Sequence, residues 1–68
     1  MIKNNLKQII TNRGIKQNWL ADQVGITKQT MSSLINNRYS TSIDIALKLS
    51  EILNIDIKDI FYNDEKLK

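Results

Sequence analysis

Histidine and cysteine are both absent from the 68 residues, which removes the imidazole base, the thiolate nucleophile and the usual zinc ligands together. The carboxylates are scattered among cap positions and expected exposed helix faces, and no pair is placed for acid–base work. The remaining polar groups are amides, hydroxyls and cations, and they crowd into residues 27–42. Thr27, Lys28, Gln29, Thr30, Ser32, Ser33, Asn36, Asn37, Arg38, Tyr39, Thr41 and Ser42 all fall there. Such groups form directed hydrogen bonds and attract anions, but they break no bonds. A glutamine amide matches adenine N6 and N7 as a bidentate pair, serine reaches several base-edge groups, and lysine reaches a guanine or a phosphate. No enzyme, cofactor, metal centre or small-molecule ligand is expected.

Spacing sharpens this reading. At about 100° per residue, placing Met31 at zero brings Leu34 and Ile35 to either side of it. Gln29, Ser32, Ser33 and Asn36 then fall on the opposite side, with Lys28 at the helix start. A plain solvated helix face would carry the same polar residues, but the preceding segment argues against it. Leu20, Ala21 and Val24 recur at helical spacing just upstream. Ala21 is small where two helices must approach closely, Gly25 lets the backbone turn sharply, and Ile26, Met31 and Leu34 lock the two helices at a fixed angle. A pair joined in this way projects its second helix from a packed base, which is the helix-turn-helix device for entering a major groove. The motif is expected over residues 17–36, with the recognition helix about 27–36.

Five helices with short connections are expected to position it. Asn4 or Asn5 can cap a first helix with Leu6, Ile9 and Ile10 as its apolar stripe, and Gly14 ends it. Gly25 ends the second, and Asn37 closes a third that begins at the N-cap Thr27. A fourth runs from Ser42 to Asn54 with Ile45, Ala46, Leu49, Ile52 and Leu53 inward, and a very short fifth follows Asp56. Ile15 with Leu20, Ile26 with Met31, and Ile55 with Ile60 each have the spacing of a hydrophobic staple across a helix start. Residues 1–3 and 61–62 read as extended and able to pair as a two-stranded ribbon. The fold class is therefore all-α, one domain over residues 1–68, with a short terminal ribbon.

The net charge of +3 is unevenly spread. Residues 1–41 carry six basic side chains against one acidic, and residues 42–68 carry four against six. One half seeks a polyanion and the other does not, as a nucleic-acid face with a neutral or acidic rear requires; a solvated surface of uneven charge would read the same way. The 12 Ile, 8 Asn and 8 Lys have AT-rich codons, pointing to a low-GC bacterial or phage source. No apolar run approaches the roughly 18 residues of a membrane span and no signal peptide opens the chain, so a cytoplasmic or nucleoid-associated protein without membrane contact is expected.

Residues 20–36, LADQVGITKQTMSSLIN, resemble the bacterial and phage repressors of the Cro/CI or Xre type. The likeness extends through Leu6 and the following Ile pair, Gln17, residues 42–54 (SIDIALKLSEILN) and residues 59–61. It implies a five-helix lambda-repressor-like domain and a sequence-specific transcriptional regulator of double-stranded DNA. Carried across residue by residue, it implies that Lys28, Gln29, Ser32 and Ser33 read bases. Gln17, Thr27, Thr30, Asn36, Asn37, Arg38, Tyr39, Thr41 and Ser42 would meet phosphates. The chain departs from the family pattern at Lys16, where a Thr cap is usual and worth about 1 kcal/mol, and at Ile35 and Asn37, which replace a common acidic residue and a common glycine. Trp19 replaces a polar residue and reads as packing at a helix edge before it reads as a partner anchor.

A domain of this size recognises few base pairs, so a homodimer on a palindromic operator is expected, with half-sites about 34 Å apart. Leu53, Ile55, Phe61 and Tyr62 offer apolar area for that interface, although completing the monomer core is the stronger reading for Ile55 and Phe61. Repression by steric exclusion of polymerase is the expected outcome. The alternative is a protein-binding module such as an antitoxin or antirepressor component.

Overall fold

The computed structural model describes residues 2–38 and 40–63. Their order is β1 (Ile2–Asn4), α1 (Leu6–Arg13), α2 (Gln17–Val24), α3 (Lys28–Ile35), α4 (Ile43–Leu53), α5 (Ile57–Ile60) and β2 (Phe61–Asn63). The two strands pair antiparallel, Ile2 opposite Asn63, Lys3 opposite Tyr62 and Asn4 opposite Phe61. The expected five helices and the ribbon are both present.

Each of the first four helices stops by the same local device. Gly14, Gly25, Asn37 and Asn54 adopt positive φ, between 56° and 79°. The N–H of the following residue reaches back five positions, Ile15 to Ile10, Ile26 to Ala21, Arg38 to Ser33 and Ile55 to Ser50. This is the Schellman termination, which satisfies carbonyls that have no helical partner. In three cases the residue after the turn is isoleucine, and Ile15, Ile26 and Ile55 all pack against the core. Each one also precedes the next helix, so a single side chain closes one helix and staples the start of another.

The helix starts are less uniform. Thr27 accepts from the Thr30 N–H at 3.0 Å, and Ser42 from the Ile45 N–H at 3.4 Å. Lys16 offers α2 no side-chain cap. Asn5 occupies the cap position of α1 without a side-chain bond; the cap comes instead from Asn4, whose Oδ1 accepts from the Leu6 N–H at 3.0 Å.

One cluster forms the core, drawn from α1, α2, α3, α4 and α5, with Leu6, Leu20, Met31, Leu49 and Ile60 fully buried. Ala21 is also fully buried, at the position where α2 must come close to its neighbours. Leu53 is 2% exposed and belongs to this core, so it offers no area to a second chain. Ile55 and Phe61 are half-buried against the same cluster. Of the four side chains expected at a dimer interface, only Tyr62 is exposed, at 43%.

Candidate nucleic-acid interface

The core sets the orientation of α3. Met31, Leu34 and Ile35 are 0%, 1% and 4% exposed, so three apolar anchors fix which face turns away. Lys28, Gln29 and Asn36 are exposed on the other side, and Ser32 and Ser33 are half-buried beside them. Two features hold the helix start. Gly25 at φ 79° reverses the chain, and Thr27 caps the first turn while donating its hydroxyl proton to Thr30 Oγ1 at 2.8 Å. The Thr27 hydroxyl proton is therefore used within the turn, whereas that of half-buried Thr30 is not part of this bond.

Hydrogen bonds also sort the remaining polar side chains. Asn36 turns its amide back onto the helix, with Nδ2 donating to the Ser32 carbonyl at 2.9 Å. Asn37 Oδ1 accepts from the Asn4 N–H at 2.8 Å, so its side chain faces β1 rather than outward solvent. Arg38 is exposed just beyond it. Gln17 lies half-buried at the first position of α2, whose opening amides have no side-chain cap. Thr41 and Ser42 stand at the start of α4, where they also line a shallow apolar groove of about 300 Å³ with Ile2, Ile43, Ala46, Ile57 and Phe61. Tyr39 lies outside the described residues.

Two assignments of side chains escape sequence reasoning. Arg13, counted among the basic surplus, donates from Nη1 to the Leu53 carbonyl at 2.6 Å, and so caps the C-terminal end of α4. Asn4, read only as a possible helix cap, is the buried polar side chain of the described residues. Besides the Leu6 N–H that it caps, its partners lie 30 or more positions away, and no periodic pattern could have indicated those.

A profile of the Cro/C1-type HTH DNA-binding domain matches residues 5–65. The chain belongs to this family. It is a transcriptional regulator with a helix-turn-helix domain, and DNA is its partner. An uncharacterized HTH-type transcriptional regulator of Bacillus subtilis, YgzD, is 29% identical over 65 residues, spanning 96% of this chain and 98% of its own. One from Methanocaldococcus jannaschii is 30% identical over 66 residues, covering 96% and 100%. Among solved structures, a Bacteroides fragilis protein described as a candidate DNA-binding protein superposes with a TM-score of 0.83 at 29% identity, covering 91% of this chain and all of the other.

For a Cro/C1-type domain the arrangement is chemically economical. Among the described residues no group of three or more acidic, histidine or cysteine side chains could hold a metal, and no helix is long and apolar enough to cross a membrane. The face of α3 turned away from the core and the segments flanking it carry hydrogen-bonding groups. Trp19, 48% exposed, stands apart from that surface beside Gly14, Ile15 and Lys16.

Proposed function

We propose that the protein is a repressor that reads a palindromic operator as a homodimer, one α3 entering the major groove in each half-site. The observation that carries this reading is the exposure of Gln29 on the face opposite buried Met31. Gln29 and Lys28 reach base edges, with Ser32 and Ser33 completing the reading face at closer range. Arg38, Thr30 and Gln17 meet phosphates, with Asn36, Tyr39, Thr41 and Ser42 as further contacts, and Thr27 joins them once its hydroxyl leaves Thr30. Asn37 is withdrawn from the phosphate set because its amide is turned onto β1. Occupation of an operator overlapping a promoter then excludes polymerase.

The dimer surface moves with the burial pattern. Ile43, Leu47, Ile2 and Tyr62 are 68%, 50%, 43% and 43% exposed. Ile2 and Ile43 flank the apolar groove, and Leu47 continues the stripe one turn along α4. Antiparallel packing of α4 on a second copy places Ile43 against the other chain's Leu47.

The test is a gel shift and protection footprint on the DNA beside the protein's own gene, repeated across salt concentrations. A protected site with a steep fall of log affinity in log salt is expected. Gln29→Ala should relax base preference at one position per half-site at a cost of about 1–3 kcal/mol. An unchanged preferred sequence refutes the register of α3. Absence of any shift together with capture of a protein partner establishes the protein-binding module instead.

A further inference from the structure

Asn4 lies on β1, outside the helix-turn-helix pair, yet its amide is bonded at both ends. Oδ1 accepts from the Leu6 N–H at 3.0 Å, and Nδ2 donates to the Leu34 carbonyl at 2.8 Å. Leu34 is in the last turn of α3, and its carbonyl, which also accepts from the Asn37 N–H at 3.1 Å, takes a second bond from Asn4. The backbone of Asn4 is engaged by Asn37, whose Oδ1 accepts from the Asn4 N–H at 2.8 Å and whose Nδ2 donates to the Asn4 carbonyl at 3.4 Å. Ser40 adds a hydroxyl donated to the Ile2 carbonyl at 3.4 Å. β1 is thus held along one edge by β2 and along the other by the segment that leaves the recognition helix.

We propose that Asn4 and Asn37 are positioning residues for DNA recognition, fixing the tilt of the C-terminal end of α3 and the placement of Arg38 against the ribbon. The proposal rests on base reading by α3 and adds residues that touch no DNA. α3 has eight residues, about 12 Å of helix, and the turn at Gly25 and the Thr27 cap hold only its start. Apolar packing resists separation of the far end more than it resists small rotations, because it is non-directional. Hydrogen bonds of 2.8 Å to the Leu34 carbonyl and from the Asn4 N–H supply the missing direction.

The conformation of Asn37 points the same way. Its φ of 60° is one that glycine adopts without steric cost, so the backbone alone does not call for an amide there. The amide is what links the exit of α3 to β1. Base-edge contacts demand close placement, whereas cationic side chains on flexible stems follow a phosphate through small shifts. Loss of the link therefore lowers discrimination before it lowers general affinity.

Asn37→Gly keeps the left-handed backbone and removes only the amide. Wild type, Asn37→Gly and the harsher Asn4→Ala are titrated against two duplexes of equal length, one selected from a randomised pool by the wild-type protein and one unselected. Thermal melting of each protein and exchange of the Asn4 amide by NMR are recorded in parallel, with titrations below the melting range. For Asn37→Gly the ratio of the two affinities should fall about tenfold, the weight of one base contact. Its affinity for the unselected duplex should stay within about twofold, and its Asn4 amide should exchange faster. Equal discrimination by Asn37→Gly and wild type overturns the proposal, as does a parallel loss on both duplexes. If Asn4→Ala is unfolded, Asn37→Gly alone decides the outcome. A wild type that enriches no sequence from the pool refutes base reading and this proposal together, which separates failure of the parent reading from failure of the link.

Discussion

Arg13→Ala tests whether the basic surplus of the first 41 residues belongs entirely to the DNA face. The Arg13 guanidinium donates to the Leu53 carbonyl at 2.6 Å, at the C-terminal end of an 11-residue helix whose next residue, Asn54, has φ 56°. A hydrogen bond to a charged group contributes about 1.5–3 kcal/mol net, and a cation at an exposed helix C-terminus about 0.3–1 kcal/mol. Arg13 is exposed, so solvent screening brings the expected loss to about 1–2 kcal/mol. At about 4–8 °C per kcal/mol for a domain of this size, the melting temperature should drop by about 4–16 °C. DNA binding should change little, because Ser42 and the segment before it lie at the other end of α4, about 16 Å along the helix axis. That exceeds the screening length of about 8 Å at physiological salt. The assay is a circular dichroism melt paired with DNA titrations over a salt series, with Arg38→Ala as the contrasting variant. Arg38→Ala should flatten the log–log salt slope by about 0.9 and leave the melt nearly unmoved. The capping argument fails if Arg13→Ala flattens the slope while the melting temperature holds.

Two further outcomes follow from the same geometry. Leu47→Glu places a charge in the exposed apolar stripe of α4 without entering the core, so sedimentation should show the dimer shifted to monomer and operator affinity reduced at least tenfold, roughly the loss of a buried interface anchor, with the circular dichroism spectrum unchanged. Full dimerisation by this variant would place the interface elsewhere. Gly25→Ala meets open space, since a Cβ there has nothing within 4 Å, and the penalty is backbone strain at φ 79° alone. A loss of about 1–2 kcal/mol in a denaturant titration is expected, and no loss would show that the turn between α2 and α3 relaxes without cost.

Local rules make much of the protein legible along the chain itself. Gly14, Gly25, Asn37 and Asn54 end helices because positive φ is a property of the residue and its nearest neighbours. Ile15, Ile26 and Ile55 staple the helix starts because their partners lie five positions away. The face of α3 that carries Gln29 follows from a 3.6-residue period and three apolar anchors. These energies act within one or two helical turns, so a linear chain already contains them.

Tertiary structure decided which apolar and polar groups were left over. Leu53 reads both as inward on the period of α4 and as spare area for an interface, and the assembled core, which leaves it 2% and Leu47 50% exposed, decides between the two. Arg13 caps a carbonyl 40 positions away, and Asn4 bonds α3 across 30. Such partners are set by the crossing of packed elements in space, and no spacing along the chain carries that distance. The sequence by itself therefore determined the helices, their ends and the outward face of α3, whereas packing chose the spare surface and the long-range polar ties that hold that face in place.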